Sequence, residues 1–142
     1  MKKGIQRRSA KDRVRMNYTL EIVHLEDEIG VSEIVKSTIL LLEPMCSLNQ
    51  FFDADSAISY IEAHKDDIDL LLLDVRVPGS TDGIGVARRA RQAKYTGAIA
   101  FTTAFQPPKD ELLQELDCIW LPKPVPLNKM QNTLRATRRI SG

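Results

Sequence analysis

Apolar and polar positions along the chain alternate between two periods, and the switches between them mark ten segments. Tyr18–Leu25 (YTLEIVHL) reads as a strand. From Glu28 to Glu43, Val31, Ile34, Val35, Thr38, Leu41 and Leu42 recur at helical spacing and are expected to face inward, until Pro44 stops the helix. Ser47–Phe52 is a second short strand. Asp53 or Asp55 can cap a helix that runs to about His64, with Ala57, Ile58 and Ile61 inward. Ile68–Val75 is a nearly unbroken aliphatic run, the pattern of a strand covered on both faces. Pro78–Gly83 is a loop, followed by a helix of about Ile84–Ala93 whose Arg88, Arg89 and Arg91 are expected to be solvated. Ala98–Thr103 is the fourth strand. Pro107-Pro108 opens a short helix, Lys109–Leu116, before a fifth strand, Cys118–Leu121. Pro122–Pro126 is a rigid turn, and Leu127–Arg139 is a last helix with Met130, Leu134 and Thr137 inward.

Strand and helix alternate five times. That order predicts an α/β fold, a doubly wound five-stranded parallel sheet in the flavodoxin-like order 2-1-3-4-5 with helices on both faces. No GxGxxG, P-loop lysine motif or internal repeat is present, so the nucleotide-binding versions of this architecture lack their signatures. The length, 142 residues, suits one domain.

Charge changes this picture at one end only. The whole chain is near neutral at +1. Residues 1–16 nevertheless carry Lys2, Lys3, Arg7, Arg8, Lys11, Arg13 and Arg15 against Asp12 alone. They lack apolar periodicity, so the chain divides into a basic arm predicted to be disordered, residues 1–16, and a domain at 17–142. The arm is a solubilising tail, an anionic-surface contact, or a stretch upstream of a translation start at Met16. It has no interleaved aromatics, which argues against nucleic acid as a partner. Cys46 and Cys118 form no metal spacing and read as free thiols in a reducing compartment. With no secretory signal and no run of transmembrane length, a cytoplasmic location is expected.

The chemistry collects where the strands end. On turn chemistry alone Asp74, at the end of the aliphatic run, is a capping residue. In the order 2-1-3-4-5, however, strands one and three are neighbours at the switch point, where ligands bind. Glu26 and Asp27 then meet Asp74, with Thr103 and Lys123 at the ends of strands four and five. Carboxylates about 4 Å apart repel by on the order of 4 kcal/mol per pair at an effective dielectric of ~20. An oxygen-only donor set of this kind suits Mg2+. A lysine ammonium suits phosphate oxygens, and a carboxylate can act as nucleophile toward phosphorus.

From about Leu20 to Arg139 the chain resembles a response-regulator receiver domain of two-component signalling. The resemblance rests on Leu25-Glu26-Asp27-Glu28, Leu73-Asp74-Val75-Arg76-Val77-Pro78-Gly79, Asp82-Gly83, Phe101-Thr102-Thr103-Ala104 and Trp120-Leu121-Pro122-Lys123-Pro124, in that order. It implies that Asp74 accepts a phosphoryl group from a sensor histidine kinase or a histidine phosphotransfer protein. It implies Mg2+ held by Glu26, Asp27, Asp74 and the carbonyl of Arg76, and a phosphoryl group paired with Lys123. Thr103, in competition with Thr102, would hydrogen-bond the phosphoryl group. Trp120 would be the switch aromatic, and the Lys123–Pro124 peptide would be cis. Such a domain is a signalling phosphoacceptor and not an enzyme acting on other substrates. It can dimerise through the face of the fourth helix, fifth strand and fifth helix.

Four positions depart from the pattern. Glu26 replaces the commoner Asp. Pro78–Gly83 is one residue longer than usual. Pro122 precedes the lysine, and the stretch from Thr103 to Lys123 is short. Gly142 follows the last helix closely, which leads to the expectation of a stand-alone switch, of chemotaxis or phosphorelay type, that signals to a downstream protein by contact. The competing readings are a phosphorylation-independent adaptor on the same fold and a nucleic-acid-associated module using the basic arm. A metal-dependent phosphatase is a further one.

Overall fold

The computed structural model describes residues 19–141, with the side chains of 139–141 left aside. The basic arm, Met16 and Tyr18 lie outside the described residues. The chain forms β1 (Leu20–Leu25), α1 (Ile29–Leu42), β2 (Cys46–Phe51), α2 (Ala54–His64) and β3 (Leu70–Asp74). It continues through α3 (Gly83–Gln92), β4 (Ala98–Thr103), α4 (Asp110–Leu116), β5 (Ile119–Pro122) and α5 (Leu127–Ser141). The five strands pair in parallel in the order β2-β1-β3-β4-β5, as expected. No helix among the described residues is long and apolar enough to cross a membrane.

The aliphatic run is the middle of this sheet. Leu70, Leu71, Leu72 and Leu73 are all fully buried, and alternate side chains feed opposite layers. Leu71 and Leu73 join Val23, Leu25, Ile99 and Phe101 against Ala57, Ile61, Val86 and Ala87 of α2 and α3. Leu70 and Leu72 join Leu20, Ile22 and Ala100 against Ile39 of α1 and Met130 and Leu134 of α5. Burying a leucine stabilises by about 1.5–3 kcal/mol, so β3 is the best-anchored strand and its last residue, Asp74, is held on a rigid support.

Local chemistry sets the element ends. Asp53 accepts from the Ser56 amide at 2.8 Å and caps α2, and Asp82 accepts from the Gly85 amide at 2.9 Å and caps α3. Gly83 follows at a point of closest approach. A Cβ there would lie 2.0 Å from the Asp74 carbonyl oxygen, and the Gly83 amide donates to the carbonyl of Val75 at 3.0 Å. Glycine is thus required for α3 to start directly against the end of β3.

Two expectations are corrected. On α1 the buried residues are Ser32 and Ile39, while Ile34 and Leu41 are exposed. The helix is rotated so that Ser32, Val35, Ile39 and Leu42 face the sheet. Ser32 stands in the core with its hydroxyl buried and unbonded among the described residues, while its main-chain carbonyl accepts from the Gln50 side chain at 2.9 Å. Nor is Arg91 solvated. It donates to the carbonyls of Leu116, Tyr95, Gly97 and Asp117 at 2.7–2.9 Å and ties α3 to the turns beside β4 and β5. Its neighbours pair with acids on the flanking helices, Arg88 with Glu115 and Arg89 with Glu62.

Candidate functional site

Three strand ends build the site. β1 delivers Glu26, whose amide donates to the Phe51 carbonyl at 3.0 Å and whose side chain is 1% exposed. Asp27 follows and is exposed. β3 delivers Asp74, 5% exposed, paired in register with Thr102 of β4. Glu26, Asp27 and Asp74 each offer a carboxylate oxygen within 4.8 Å of the others. Lys123, just past β5, closes the group. Its Nζ donates to Glu26 Oε1 at 2.8 Å and to Asp74 Oδ2 at 2.9 Å, with Glu28 Oε1 at 3.9 Å. Asp74 Oδ1 accepts from the Arg76 amide at 3.2 Å.

The charges do not balance. Three carboxylates share one ammonium, and two of the three are buried. Burial is the main force that pushes the Glu26 carboxyl above its usual range, and the charge of Asp74 adds to it. The hydrogen bonds from Lys123 and the Glu28 amide only partly offset this. Burial alone would lower the Lys123 ammonium, but the bonds to Glu26 and Asp74 outweigh it and hold its pKa above the usual 10.5. The surplus of negative charge and the all-oxygen donors fit a divalent hard cation such as Mg2+.

The proline turn is accommodated without loss of pairing. Pro122 is the last residue of β5, an edge strand, where a missing donor is tolerated. The next amide, Lys123 N–H, makes the sheet bond to the Thr103 carbonyl at 3.0 Å. The Lys123–Pro124 peptide is cis. The longer loop is pinned from outside: the Ala54 amide donates to the Pro78 carbonyl and the Ser80 amide to Asp55 Oδ2, each at 2.9 Å. Gly79 sits there with φ +132°, a conformation suited to glycine. The loop thus rests against the start of α2.

The remaining predicted residues lie around this centre. The Thr103 hydroxyl accepts from the Phe105 amide at 3.1 Å and so caps its own loop. Thr102 lines a groove with His24, Glu26 and Lys123. Trp120, in register with Phe101, is half-buried, and its indole Nε1 is buried with no hydrogen-bond partner among the described residues. His24 is packed in the core, 2% exposed, beside the Gln50 side chain at 3.1 Å. Two features escaped the sequence reading. Glu28 approaches the lysine, and the Arg76 guanidinium lies 4.3 Å over the exposed Phe105 ring. Each of those two residues stands two positions after a site residue, which is the one signal the chain offered.

No family model matches the chain. Solved structures do. The response regulatory domain of mrkE from Klebsiella pneumoniae superposes with a TM-score of 0.75 at 20% identity, covering 86% of this chain and 98% of that one. The signal receiver domain of a LuxO repressor protein from Vibrio parahaemolyticus gives 0.74 at 17%, covering 87% and 92%. A CheY-like receiver domain from Methylobacillus flagellatus gives 0.72 at 16%, covering 84% and 98%.

The chain has the response-regulator receiver fold.

A curated relative is 37% identical over 73 residues: the cyclic di-GMP phosphodiesterase response regulator RpfG of Xanthomonas campestris pv. campestris (strain 8004). The match takes in 51% of this chain and 18% of that protein. In a receiver fold the carboxyl ends of β1 and β3 frame the ligand crevice, which is where Glu26, Asp27 and Asp74 stand.

Proposed function

We propose that the chain is a phosphoacceptor switch of a two-component phosphorelay. Asp74 takes the phosphoryl group from the phosphohistidine of a sensor histidine kinase or a histidine phosphotransfer protein. The observation that carries this reading is the placement of Asp74: buried, at the end of a fully buried strand, bonded to Lys123 and grouped with Glu26 and Asp27.

In the transfer, an Asp74 carboxylate oxygen forms a bond to phosphorus as the phosphorus–nitrogen bond of the donor breaks. The departing imidazole nitrogen takes up a proton. Lys123 already points at Asp74 Oδ2 and can hold a phosphoryl oxygen by a short movement. Mg2+, when bound, neutralises charge on the phosphoryl oxygens. Glu26, Asp27, Asp74 and the Arg76 carbonyl would hold it. Thr103, whose oxygen accepts from the Phe105 amide, has its O–H free to donate to the phosphoryl group, which would draw the loop after β4 inward. Trp120 would follow, because its unpartnered indole N–H gains a partner if the ring turns. The modification adds about −1.5 to −2 charge and shifts an existing equilibrium toward the active surface.

The protein then acts as a switch toward a downstream partner in the cytoplasm, not as an enzyme on other substrates. The test is labelling by acetyl phosphate with Mg2+. Wild type should incorporate label and Asp74→Asn should not. Equal labelling of the variant would exclude the assignment.

A further inference from the structure

We infer that Asp55, at the start of α2, is a positioning residue for the cation site: it fixes the loop after β3 that bears the Arg76 carbonyl, and so sets the affinity of the acid group for Mg2+. The inference rests on the phosphoacceptor reading and goes beyond it, because α2 contributes no group to the site. At the base of the loop, the Val75 amide donates to the Thr102 carbonyl at 3.1 Å and the Gly83 amide to the Val75 carbonyl at 3.0 Å. Arg76 opens the loop with its amide on Asp74 Oδ1 at 3.2 Å. Among the described residues, the hydrogen bonds that residues 77–81 make to other elements all go to Ala54 and Asp55. The Ala54 amide donates to the Pro78 carbonyl at 2.9 Å. The Ser80 amide donates to Asp55 Oδ2 at 2.9 Å, and the Ser80 hydroxyl donates to Asp55 Oδ1. These two anchors follow Arg76 by two and four positions.

Asp55 is exposed, and a single hydrogen bond in water holds little. This contact is built more firmly. One serine engages both carboxylate oxygens, a charge-assisted grip that fixes orientation as well as distance. Those bonds, the hydroxyl's foremost and the amide's next, hold the Asp55 carboxyl below its usual range. The turn beneath is anchored: Asp53 caps it, and Ala54, Ala57, Ile58 and Ile61 seat α2 in the core. The loop lies close against that turn. A Cβ on Gly79, whose φ is +132°, would stand 3.0 Å from Asp55 Oδ2 and 3.1 Å from the Ala54 Cβ. Pro78 fixes its own φ between Arg76 and Ser80. A cation that takes a main-chain carbonyl must order the chain bearing it, and that ordering opposes binding. Asp55 supplies the order beforehand, which raises affinity without touching the ion. Groups that orient metal ligands from one layer out change affinity by about 10–100-fold when removed. Asp55 acts through main chain and from solvent, so the lower end of that range applies.

The test is calorimetric titration of the full chain with MgCl2, with urea unfolding in chelator alongside. Asp55→Ala should raise the Mg2+ dissociation constant about 10-fold, while its urea midpoint in chelator stays at the wild-type value. Ser80→Ala keeps the amide bond and Asp55→Asn keeps one acceptor, so each should give a smaller rise. At saturating Mg2+ the acetyl phosphate labelling rate of Asp55→Ala should return to that of wild type, because the change lies in occupancy by the cation and not in Asp74. An unchanged Mg2+ affinity in Asp55→Ala overturns the proposal. A loss of affinity matched by an equal loss of urea stability overturns it as well, and so does a labelling rate that saturating Mg2+ fails to restore, since either marks a purely structural role. Asp27→Ala separates this proposal from the reading beneath it. If Asp27→Ala lowers Mg2+ affinity and Asp55→Ala does not, the positioning role alone fails; if neither lowers it, the cation site fails too.

Discussion

Replacing Lys123 with methionine keeps most of the side-chain volume and removes the ammonium bonded to Glu26 and Asp74. Two charge-assisted hydrogen bonds disappear, at 2.8 and 2.9 Å, leaving Glu26 at 1% and Asp74 at 5% exposure without a cation. The carboxylate oxygens of the group lie within 4.8 Å of one another, and at an effective dielectric of ~20 such a pair repels by about 3 kcal/mol. Breaking a buried ion pair from one side costs about 3–5 kcal/mol for the same reason. Lys123→Met should therefore lose about 3 kcal/mol at pH 7.5 in chelator, read from urea unfolding. The loss has two remedies. Mg2+ should stabilise the variant more than the wild type, because it meets a larger charge surplus. Acid should help too. The folded-state pKa of Glu26 is raised already and rises further without the lysine. A raised acid destabilises the fold as pH climbs through its pKa and relieves it as pH falls. A variant as stable as wild type in chelator, or one that Mg2+ helps no more than wild type, would refute this account of the site.

Asp27→Ala should remove most of the rise in melting temperature that Mg2+ gives the wild type, measured by scanning calorimetry; an undiminished rise would place the ion elsewhere. Gly83→Ala should destabilise by about 2–4 kcal/mol in urea unfolding, because its Cβ meets main-chain oxygen and not a mobile side chain; a neutral effect would show that α3 can shift. His24 is held neutral by burial, foremost, with its pKa lowered to about 4 from 6.5. The unfolded chain therefore takes up a proton between those values while the folded one does not, and stability falls as pH drops from 6.5 to 4 by about 3 kcal/mol. His24→Leu should flatten that part of the pH profile in urea unfolding; an unchanged slope would assign the acid sensitivity to other groups.

How much of this was legible in the chain follows from what each residue's role depends on. β3 could be read directly, because four consecutive leucines have one explanation in a parallel sheet. Gly83 could be read as a turn glycine, but its approach to the Asp74 carbonyl depends on how closely α3 starts against β3. The acid group was legible because strand order places the ends of β1 and β3 together, and all three acids sit at those ends. The facing of α1 was not legible. Ser32 in the core and Leu41 outside invert the rule that apolar residues point inward, and hydrophobic spacing within the helix does not register which face packs on the sheet. Arg91 was misread similarly, because its four carbonyl partners belong to turns that only the fold gathers. The long loop and Pro122 are visible in the chain as departures, but the contacts that hold them, with Asp55 and at the edge position of β5, are set by the fold.

The central claim is that Asp74 is the phosphoacceptor, and chemical trapping addresses it most directly. Protein treated with acetyl phosphate and Mg2+ is reduced with borohydride, which converts an acyl phosphate on aspartate to homoserine, and is then digested and mapped by mass spectrometry. The account predicts homoserine at position 74, absent when the acetyl phosphate is omitted. Stable label with an intact Asp74, or label on His24, His64 or another carboxylate, would contradict it.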